Sequence, residues 1–315
     1  MRPLDHKRIS RATELIDPVF LNSPLLAGTR LDAELGCKLS VKVETLNPIR
    51  SFKGRGTELF VSSSDGPSTL YTASAGNFGQ GLARAGRSRN VRVVVYAAET
   101  ANPLKIEAMR ALGAEVVLTG FDFDAAKHAG RAAAAAADCP FVEDGAHPEI
   151  AEGAGTIGFE ITSSGAALDA MVLPLGNGAL ATGVGAWFRF ASPATRIIAV
   201  VARGAPSMRL SFEAHRPVPS PDASTIADGI AIREPVAYAV DCMADTVDEV
   251  LEVDDDVIVR AMRCVHEQLG LVVEPAGVAG LAAVMTYRER FAGMQVGTVL
   301  CGGNLTPAQM RDWLT

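Results

Sequence analysis

Hydrophobic and polar positions alternate so as to predict strands and helices in turn along most of the chain. Short apolar runs, typical of buried strands, are separated by longer stretches with helical spacing. The runs that predict strands lie at residues 39–43, 70–72, 91–97, 115–118, 171–175, 196–201, 247–253 and 296–300. This order is typical of an α/β protein with a mostly parallel sheet.

Residues 203–235 interrupt this alternation. They contain five prolines, at positions 206, 217, 219, 221 and 235, and are predicted to form a long packed loop. The alanine-rich stretch at 122–137 is predicted to be a helix, because alanine has the highest helix propensity. The pattern shows no internal repeat and no linker long enough to separate independently folding halves.

Composition narrows the function classes. The 315 residues are 48% hydrophobic and 21% charged, which is ordinary for a soluble globular protein of one or two domains. The net charge is −7 and no long basic run occurs, so nucleic acid and anionic membranes are not expected partners. An N-terminus without an apolar stretch, and the lack of a long apolar window, predict a cytoplasmic protein.

Cysteine and histidine positions argue against a metal site. The five cysteines are scattered and include no Cys-x-x-Cys pair, which disfavours a disulfide framework and a zinc site. The five histidines are also dispersed without metal-ligand spacing. These positions therefore disfavour a zinc site.

The hexapeptide Ser-Phe-Lys-Gly-Arg-Gly places Lys53 beside Phe52 and next to small residues. A lysine that is desolvated and loses its proton can form a Schiff base with a carbonyl compound. Taken alone, the hexapeptide favours a surface lysine at the start of an amphipathic helix.

Two glycine-containing stretches lie where predicted strands turn into helices. Residues 176–179, Gly-Asn-Gly-Ala, would let backbone N–H groups approach a phosphate at a helix N-terminus. Residues 74–81, Ser-Ala-Gly-Asn-Phe-Gly-Gln-Gly, would present N–H groups suited to a carboxylate. A tight turn accounts for the first stretch equally well, and a capped helix with Ser74 as the cap accounts for the second better when it is taken alone.

Cys301 ends a predicted strand in the sequence Cys-Gly-Gly-Asn. In open α/β sheets, ligands bind beyond the carboxyl ends of the strands. Glu274, in Glu-Pro-Ala-Gly, opens a predicted helix. Taken singly, a cysteine of this kind is more often a buried structural residue, and a carboxylate of this kind more often belongs only to the start of its helix.

Together and in this order, these stretches resemble a fold-type II pyridoxal-phosphate enzyme, and most closely the threonine/serine dehydratase (ammonia-lyase) family. The resemblance runs from Ser23 to Asn304 and includes residues 152–157 and 226–229. It implies a tryptophan synthase β-like α/β fold with two open, mostly parallel sheets and the cofactor between domains. Residues 1–68 and 148–315 would form the large cofactor-binding domain, and residues 69–147 a small domain inserted in it.

The resemblance implies pyridoxal 5'-phosphate as cofactor, with Lys53 as the Schiff-base lysine and the base for the α-proton. Phe52 would pack on the cofactor ring, and Asn77 would bond to the ring hydroxyl. Cys301 would face the pyridine nitrogen, and Glu274 would also belong to the cofactor site. The implied phosphate-binding residues are Gly176, Asn177, Gly178, Ala179 and Leu180. The implied substrate-binding residues are Ser74, Ala75, Gly76, Asn77 and Phe78.

Several positions depart from the family pattern. Related serine racemases have a serine where this chain has Ala75, so racemisation should be weak. Dehydratases commonly have histidine where this chain has Phe78, which makes the substrate pocket more apolar. Asn177 and Ala179 stand where dehydratases often have glycine, a slight similarity to threonine-synthase-like relatives. The carboxylates that bind a structural cation in some relatives are replaced near residues 201–207, so the resemblance implies no metal. No C-terminal regulatory domain is expected after Asn304.

The implied activity is that of a lyase which eliminates the β-hydroxyl of a small amino acid, such as L-threonine or L-serine, to give a 2-oxo acid and ammonia. A neutral Cys301 thiol would make the ring a weaker electron sink than a carboxylate would, which favours prompt loss of the β-substituent. The alternatives are a β-replacement or threonine-synthase-like enzyme, and a non-catalytic amino-acid or cofactor binder. The chain is expected to form a homodimer.

Overall fold

Strands and helices alternate in the computed structural model, which describes residues 2–63 and 68–315. Met1 and residues 64–67, which belong to the predicted 1–68 segment, lie outside the described residues. The strands are β1 (Leu25–Leu26), β2 (Lys38–Val43), β3 (Thr69–Ala73), β4 (Arg92–Ala97), β5 (Glu115–Leu118), β6 (Ala170–Pro174), β7 (Arg196–Ala202), β8 (Glu249–Val253) and β9 (Gln295–Leu300).

The α-helices follow the strands in the order that the polarity pattern predicts for an α/β chain. They are α1 (His6–Leu15), α2 (Leu31–Leu35), α3 (Lys53–Ser63), α4 (Asn77–Ser88), α5 (Pro103–Ala111), α6 (Phe123–Ala136), α7 (Pro148–Ser163), α8 (Ala179–Ala191), α9 (Ser207–Ala214), α10 (Ala237–Thr246), α11 (Asp255–Leu269), α12 (Ala279–Thr286), α13 (Arg288–Phe291) and α14 (Pro307–Leu314). Within residues 2–63 and 68–315, no helix is long and apolar enough to cross a membrane.

The larger sheet has the strand order β1-β2-β9-β6-β7-β8. Only the short β1 runs antiparallel to its neighbour β2, and the other pairs are parallel. Every residue of β6 is buried, as expected for a parallel strand covered on both faces. The register pairs Val43 with Leu300 and Val172 with Thr298, so β2, β9 and β6 end near one another.

The smaller sheet is parallel and has the order β3-β4-β5. Helix α6 packs on β3 and β4, and α4 packs on β4. All three strands fall within residues 69–147, whereas every strand of the larger sheet falls outside that range. This distribution supports the predicted division into two domains, which stays a prediction. The predicted α/β class with two open, mostly parallel sheets is confirmed.

The prediction of a loop throughout residues 203–235 was wrong, because α9 lies within it. Pro206 stands at the N-cap, where proline is compatible with a helix, and the next proline comes only at 217. The Ser211 hydroxyl accepts a hydrogen bond from the Val218 N–H at 2.9 Å and fastens the following segment to the helix. Four of the five prolines in this segment therefore follow the short helix, and Pro206 precedes it.

Arg55 holds α3 in place from inside the protein. Its fully buried guanidinium donates hydrogen bonds of 2.8 Å to both carboxylate oxygens of Glu44, just after β2. It also donates to Glu160 of α7 at 2.6 and 3.0 Å. Burial alone would lower the pKa of Arg55, but the charge of Glu44 and the bonds to Glu160 outweigh it and keep the pKa above its ordinary value. One side chain thus joins α3, β2 and α7.

Replacing Arg55 with alanine should destabilise the protein strongly. It would leave the buried carboxylate of Glu44 without its cation and take from Glu160 one of its two cations, Lys42 being the other, and breaking a buried ion pair costs about 3–5 kcal/mol. Urea denaturation followed by circular dichroism would measure the loss. Arg92→Ala is the matched control, because Arg92 pairs with Glu115 on the surface. Equal midpoints for Arg55→Ala and the wild type would contradict the role of Arg55.

Candidate active site

A cavity of about 610 Å³ opens at the carboxyl ends of strands from both sheets. Ser74 follows β3, Cys301 follows β9, and the glycine turn follows β6, so the strand ends bring these residues together. Every site residue predicted from the sequence lines this cavity: Phe52, Lys53, Ser74, Ala75, Gly76, Asn77, Phe78, Gly176, Asn177, Gly178, Ala179, Leu180, Glu274 and Cys301.

Lys53 begins α3 and points into the cavity. Its Nζ lies 2.5 Å from Oδ2 of Asp144 and 4.5 Å from the centre of the Phe52 ring. The side chain is only 16% exposed, so Lys53 is not the surface lysine that the hexapeptide taken alone favours. The other oxygen of Asp144, Oδ1, is buried and has no hydrogen-bond partner among the described residues.

The turn after β6 leads directly into α8. Gly178 occupies the N-cap with a φ of +94°, a left-handed conformation that favours glycine. A Cβ there would also lie 2.8 Å from the Cβ of Ala239. Among residues 2–63 and 68–315, no side chain caps α8, and the first N–H groups of a helix have no partner within it. The start of α8 is therefore suited to an anion.

Ser74 closes the turn that precedes α4. Its hydroxyl accepts hydrogen bonds from the N–H groups of Gly76 at 3.1 Å and Gly79 at 2.9 Å. Gly76 is the N-cap of α4, and the side chain of Lys105 lies close to it on the cavity side. Ser74 thus helps to cap the helix and also lines the cavity. That this stretch binds a carboxylate stays a prediction.

Asn77 is held by a small polar network that joins α4 to the larger sheet. Its Nδ2 donates to Oε1 of Glu274 at 2.6 Å, and its Oδ1 accepts from Nδ2 of Asn304 at 2.8 Å. The Asn304 N–H donates to Oε2 of Glu274 at 3.1 Å. These bonds fix the orientation of the Asn77 amide in the wall of the cavity.

Glu274 is buried beside two charged residues that were not predicted from the sequence. Burial raises the pKa of Glu274 to about 7; the charge of Lys105 opposes this rise and the charge of Asp228 adds to it. Lys105 forms an ion pair with Asp228. Burial alone would lower the pKa of Lys105, but the charges of Asp228 and Glu274 outweigh it and raise that pKa.

Cys301 presents a neutral thiol to the cavity. Burial, with a smaller contribution from the charge of Glu274, raises the pKa of the thiol to about 12. The Sγ atom lies 3.8 Å from the carbonyl oxygen of Ala276. At neutral pH this group is therefore uncharged; that Cys301 faces the pyridine nitrogen stays a prediction.

Asp144, Lys105 and Asp228 line the cavity but were not predicted as site residues. The Asp-Gly pair at 144–145 is a turn signal, but a turn signal does not show which residue the turn faces. Lys105 lies in the first turn of α5, where nothing in the local pattern shows that the lysine is buried. Asp228 falls within the segment 226–229 that resembles the family, so its position was the easiest of the three to find.

The chain matches a family model described as pyridoxal-phosphate dependent enzyme over residues 16–302, and it belongs to this family. It is 33% identical to the L-threonine ammonia-lyase of Geobacter sulfurreducens, over 96% of this chain and 76% of that protein. It is 30% identical to the biosynthetic L-threonine dehydratase IlvA of Lactococcus lactis, over 97% of this chain and 76% of that protein.

The structure of the processed form of threonine deaminase isoform 2 from Solanum lycopersicum is similar, with a TM-score of 0.90 and 29% sequence identity. The match covers 99% of this chain and 94% of that chain. Together with the family match, this confirms the predicted fold-type II class, the pyridoxal-phosphate cofactor and a lyase of the threonine/serine dehydratase type.

The site residues fit the cofactor. The uncapped start of α8 offers N–H groups for a phosphate, and Lys53 offers an amine beside the flat ring of Phe52. The unpartnered Oδ1 of Asp144 indicates that a polar group is needed next to this amine. No group of three or more potential metal ligands occurs among residues 2–63 and 68–315.

Glu274 should titrate near pH 7 in the cofactor-free protein. Because its pKa is raised in the folded state, the folded protein binds more protons than the unfolded chain between about pH 4.5 and 7. Stability should therefore fall as the pH rises through this range. Carboxyl ¹³C NMR, with Glu274→Gln to assign the resonance, would measure the midpoint. A midpoint near 4.5 would contradict the effect of burial.

Proposed function

We propose that the protein is a threonine/serine ammonia-lyase that converts a small β-hydroxy amino acid, such as L-threonine or L-serine, to a 2-oxo acid and ammonia. The observation that carries this proposal is the cavity in which the amine of Lys53, the uncapped start of α8 and the neutral thiol of Cys301 meet. The relatives named threonine ammonia-lyase and threonine dehydratase support the choice of substrate.

The cofactor would be held by three parts of the site. Lys53 would anchor it covalently, with Phe52 packed on its ring. The N–H groups at residues 176–180 would bind its phosphate with support from the helix dipole of α8. An amide has two N–H donors, and since one donor of Asn77 goes to Glu274, the other would serve the ring hydroxyl.

The substrate would bind between the start of α4 and Lys53. The first-turn N–H groups of α4 suit the carboxylate, and the nearby ammonium of Lys105 adds attraction. Phe78 is 6% exposed and makes this side of the pocket apolar. A small hydroxy amino acid has both the carboxylate that the N–H groups would bind and a small side chain for the apolar side of the pocket.

Pyridoxal phosphate, when bound, supplies the electron-withdrawing system that makes the α-proton of an amino acid acidic. Lys53, once free, would remove this proton, because its amine is the basic group positioned by α3 at the centre of the cavity. Cys301 is uncharged and would not hold a proton on the ring nitrogen. This favours early departure of the β-hydroxyl over a long-lived carbanion.

Lys53→Ala should abolish both turnover and the visible absorption band of the purified protein, since the cofactor would lose its covalent anchor. The comparison is with Lys38→Ala, which removes an exposed lysine at the start of β2. Absorption spectra and an assay for oxo acid would be recorded on both variants. Retention of the band and of activity in Lys53→Ala would disprove this role of Lys53.

The purified holoenzyme should release oxo acid from L-threonine or L-serine without a second substrate. A coupled dehydrogenase assay across threonine, serine and bulkier β-hydroxy amino acids would measure this. Turnover only after addition of a nucleophile would favour the β-replacement or threonine-synthase-like alternative. Cofactor binding with no reaction of any β-substituted amino acid would favour the non-catalytic alternative.

We propose in addition that the enzyme is a cytoplasmic homodimer that does not bind nucleic acid. The net charge of −7 supports the exclusion of nucleic acid. Exposed apolar side chains, among them Leu46 at 64% and Phe190 at 57%, offer surface for a second copy. Light scattering during size-exclusion chromatography tests the dimer.

A further inference from the structure

Lys105 is a nearly buried cation in a position where a cation is unfavourable. It lies in the first turn of α5, and its side chain is 10% exposed and lines the cavity. A Cβ on Gly76, the N-cap of α4, would lie 3.5 Å from Nζ of Lys105. The ammonium group thus belongs to the first turn of one helix and lies close to the start of another. Because helix starts carry partial positive charge, this position requires an anionic partner.

Asp228 is the anion in direct contact with Lys105. Its carboxylate forms an ion pair with the ammonium group, and its side chain is 55% exposed and lines the same cavity. Glu274 also acts on Lys105 through its charge, but its two oxygens accept hydrogen bonds from Asn77 and from the Asn304 N–H. The cation near the start of α4 is therefore balanced by a carboxylate from the segment between β7 and β8.

The backbone next to Asp228 is closely packed. A Cβ at Gly176 would lie 2.5 Å from the carbonyl oxygen of Gly229, and a Cβ at Gly229 would lie 2.9 Å from the Cβ of Ala276. This backbone is therefore held between the glycine turn after β6 and residues 275–278. The carboxylate of Asp228 is, in contrast, more than half exposed. An anion in the cavity can reach the ion pair without displacing the backbone.

The ion pair of Lys105 and Asp228 is weak enough to exchange its anion. An ion pair that is open to water contributes little to stability, because water screens the attraction and solvates the released charge. A ligand carboxylate that meets Lys105 and the first N–H groups of α4 together would gain charge-assisted hydrogen bonds from both. A ligand of this kind can therefore compete with Asp228.

We propose that the carboxylate of the amino-acid substrate displaces Asp228 from Lys105, so that Lys105 binds the substrate and Asp228 limits the affinity for it. This inference rests on the proposed function, which places the substrate carboxylate at the start of α4. Asp228 neutralises the ammonium group in the free protein, and the substrate neutralises it in the complex. No covalent bond forms or breaks in this exchange.

Two other cations that line the cavity already have several anionic partners. Lys127 pairs with Glu234 at 2.8 Å and also with Asp124. Arg233 pairs with Asp124 at 3.1 Å and with a second carboxylate. Lys105, in contrast, has one ion-pair partner among residues 2–63 and 68–315. An incoming carboxylate therefore has to displace only one anion from Lys105.

The test measures the binding of L-lactate to holoenzymes of the wild type, Lys105→Met, Asp228→Asn and the double variant. L-Lactate has a carboxylate but no amino group, so it cannot react with the cofactor. Isothermal titration calorimetry would give the Kd, and uncharged L-lactamide is the control ligand. Asp222→Asn is the matched control variant, because Asp222 lines the same cavity whereas Asp228 is the residue paired with Lys105.

The two partners of the ion pair should have opposite effects. Lys105→Met should weaken L-lactate about tenfold, because a charge-assisted hydrogen bond is lost. Asp228→Asn should strengthen it about two- to fivefold, as expected for release from a water-exposed ion pair. The double variant should bind L-lactate like Lys105→Met, since Asp228 acts through Lys105. Asp222→Asn should bind like the wild type, and L-lactamide should not distinguish the proteins.

Unchanged or weaker binding of L-lactate by Asp228→Asn would overturn the proposal, because a purely structural ion pair loses affinity when either partner is removed. Equal strengthening by Asp222→Asn would also overturn it, since general negative charge would then be the cause. If Lys105→Met does not retain cofactor, Lys105→Arg replaces it. Arginine keeps the positive charge, so Asp228→Asn should still strengthen L-lactate in that background, and no strengthening would overturn the proposal.

This measurement is independent of catalysis, because L-lactate is bound and not converted. A protein that releases no oxo acid from threonine or serine would refute the proposed function. The opposite effects of Lys105→Met and Asp228→Asn on L-lactate would still support the exchange of anions at Lys105.

Discussion

The buried guanidinium of Arg55 is the interaction on which the rest of the site depends. Its bonds to Glu44 and Glu160 join the start of α3 to β2 and α7, two residues after Lys53. Glu160 receives a second cation from Lys42 at 2.6 Å, and these cations outweigh burial and lower its pKa. The network keeps every charge compensated, so the end of α3 that carries Lys53 cannot move without breaking buried ion pairs.

A second constraint is that the parallel strands of both sheets direct their carboxyl ends toward one cavity. The network of Asn77, Glu274 and Asn304 connects residues that follow β3 and β9, and it satisfies polar groups that would otherwise be buried without partners. The same network places a carboxyl group with a pKa of about 7 next to a neutral thiol at Cys301. The site therefore combines a rigid frame with ionisable groups, and burial controls whether those groups are charged.

The charges around Lys53 distinguish this cavity from a simple cofactor pocket. Asp144 gives the amine an anionic partner, and Lys105 provides a cation near the start of α4. One side of the cavity is thus suited to an ammonium group and the other to a carboxylate, which are the two charges of an amino acid. The nearly buried ring of Phe78 lines the same cavity and makes that part of its wall apolar.

The sequence by itself determined the alternation of strands and helices, the fold family and all fourteen predicted residues of the cavity lining. Hydrophobic periodicity and ordered motifs are local signals, so they can be recognised without knowing which segments contact one another. Only the tertiary structure decided that Arg55 is buried, that α9 interrupts the predicted loop, and that Asp144 touches Lys53 across 91 positions. Burial and pairing of charges depend on contacts between distant segments, and a single sequence contains no direct record of those contacts.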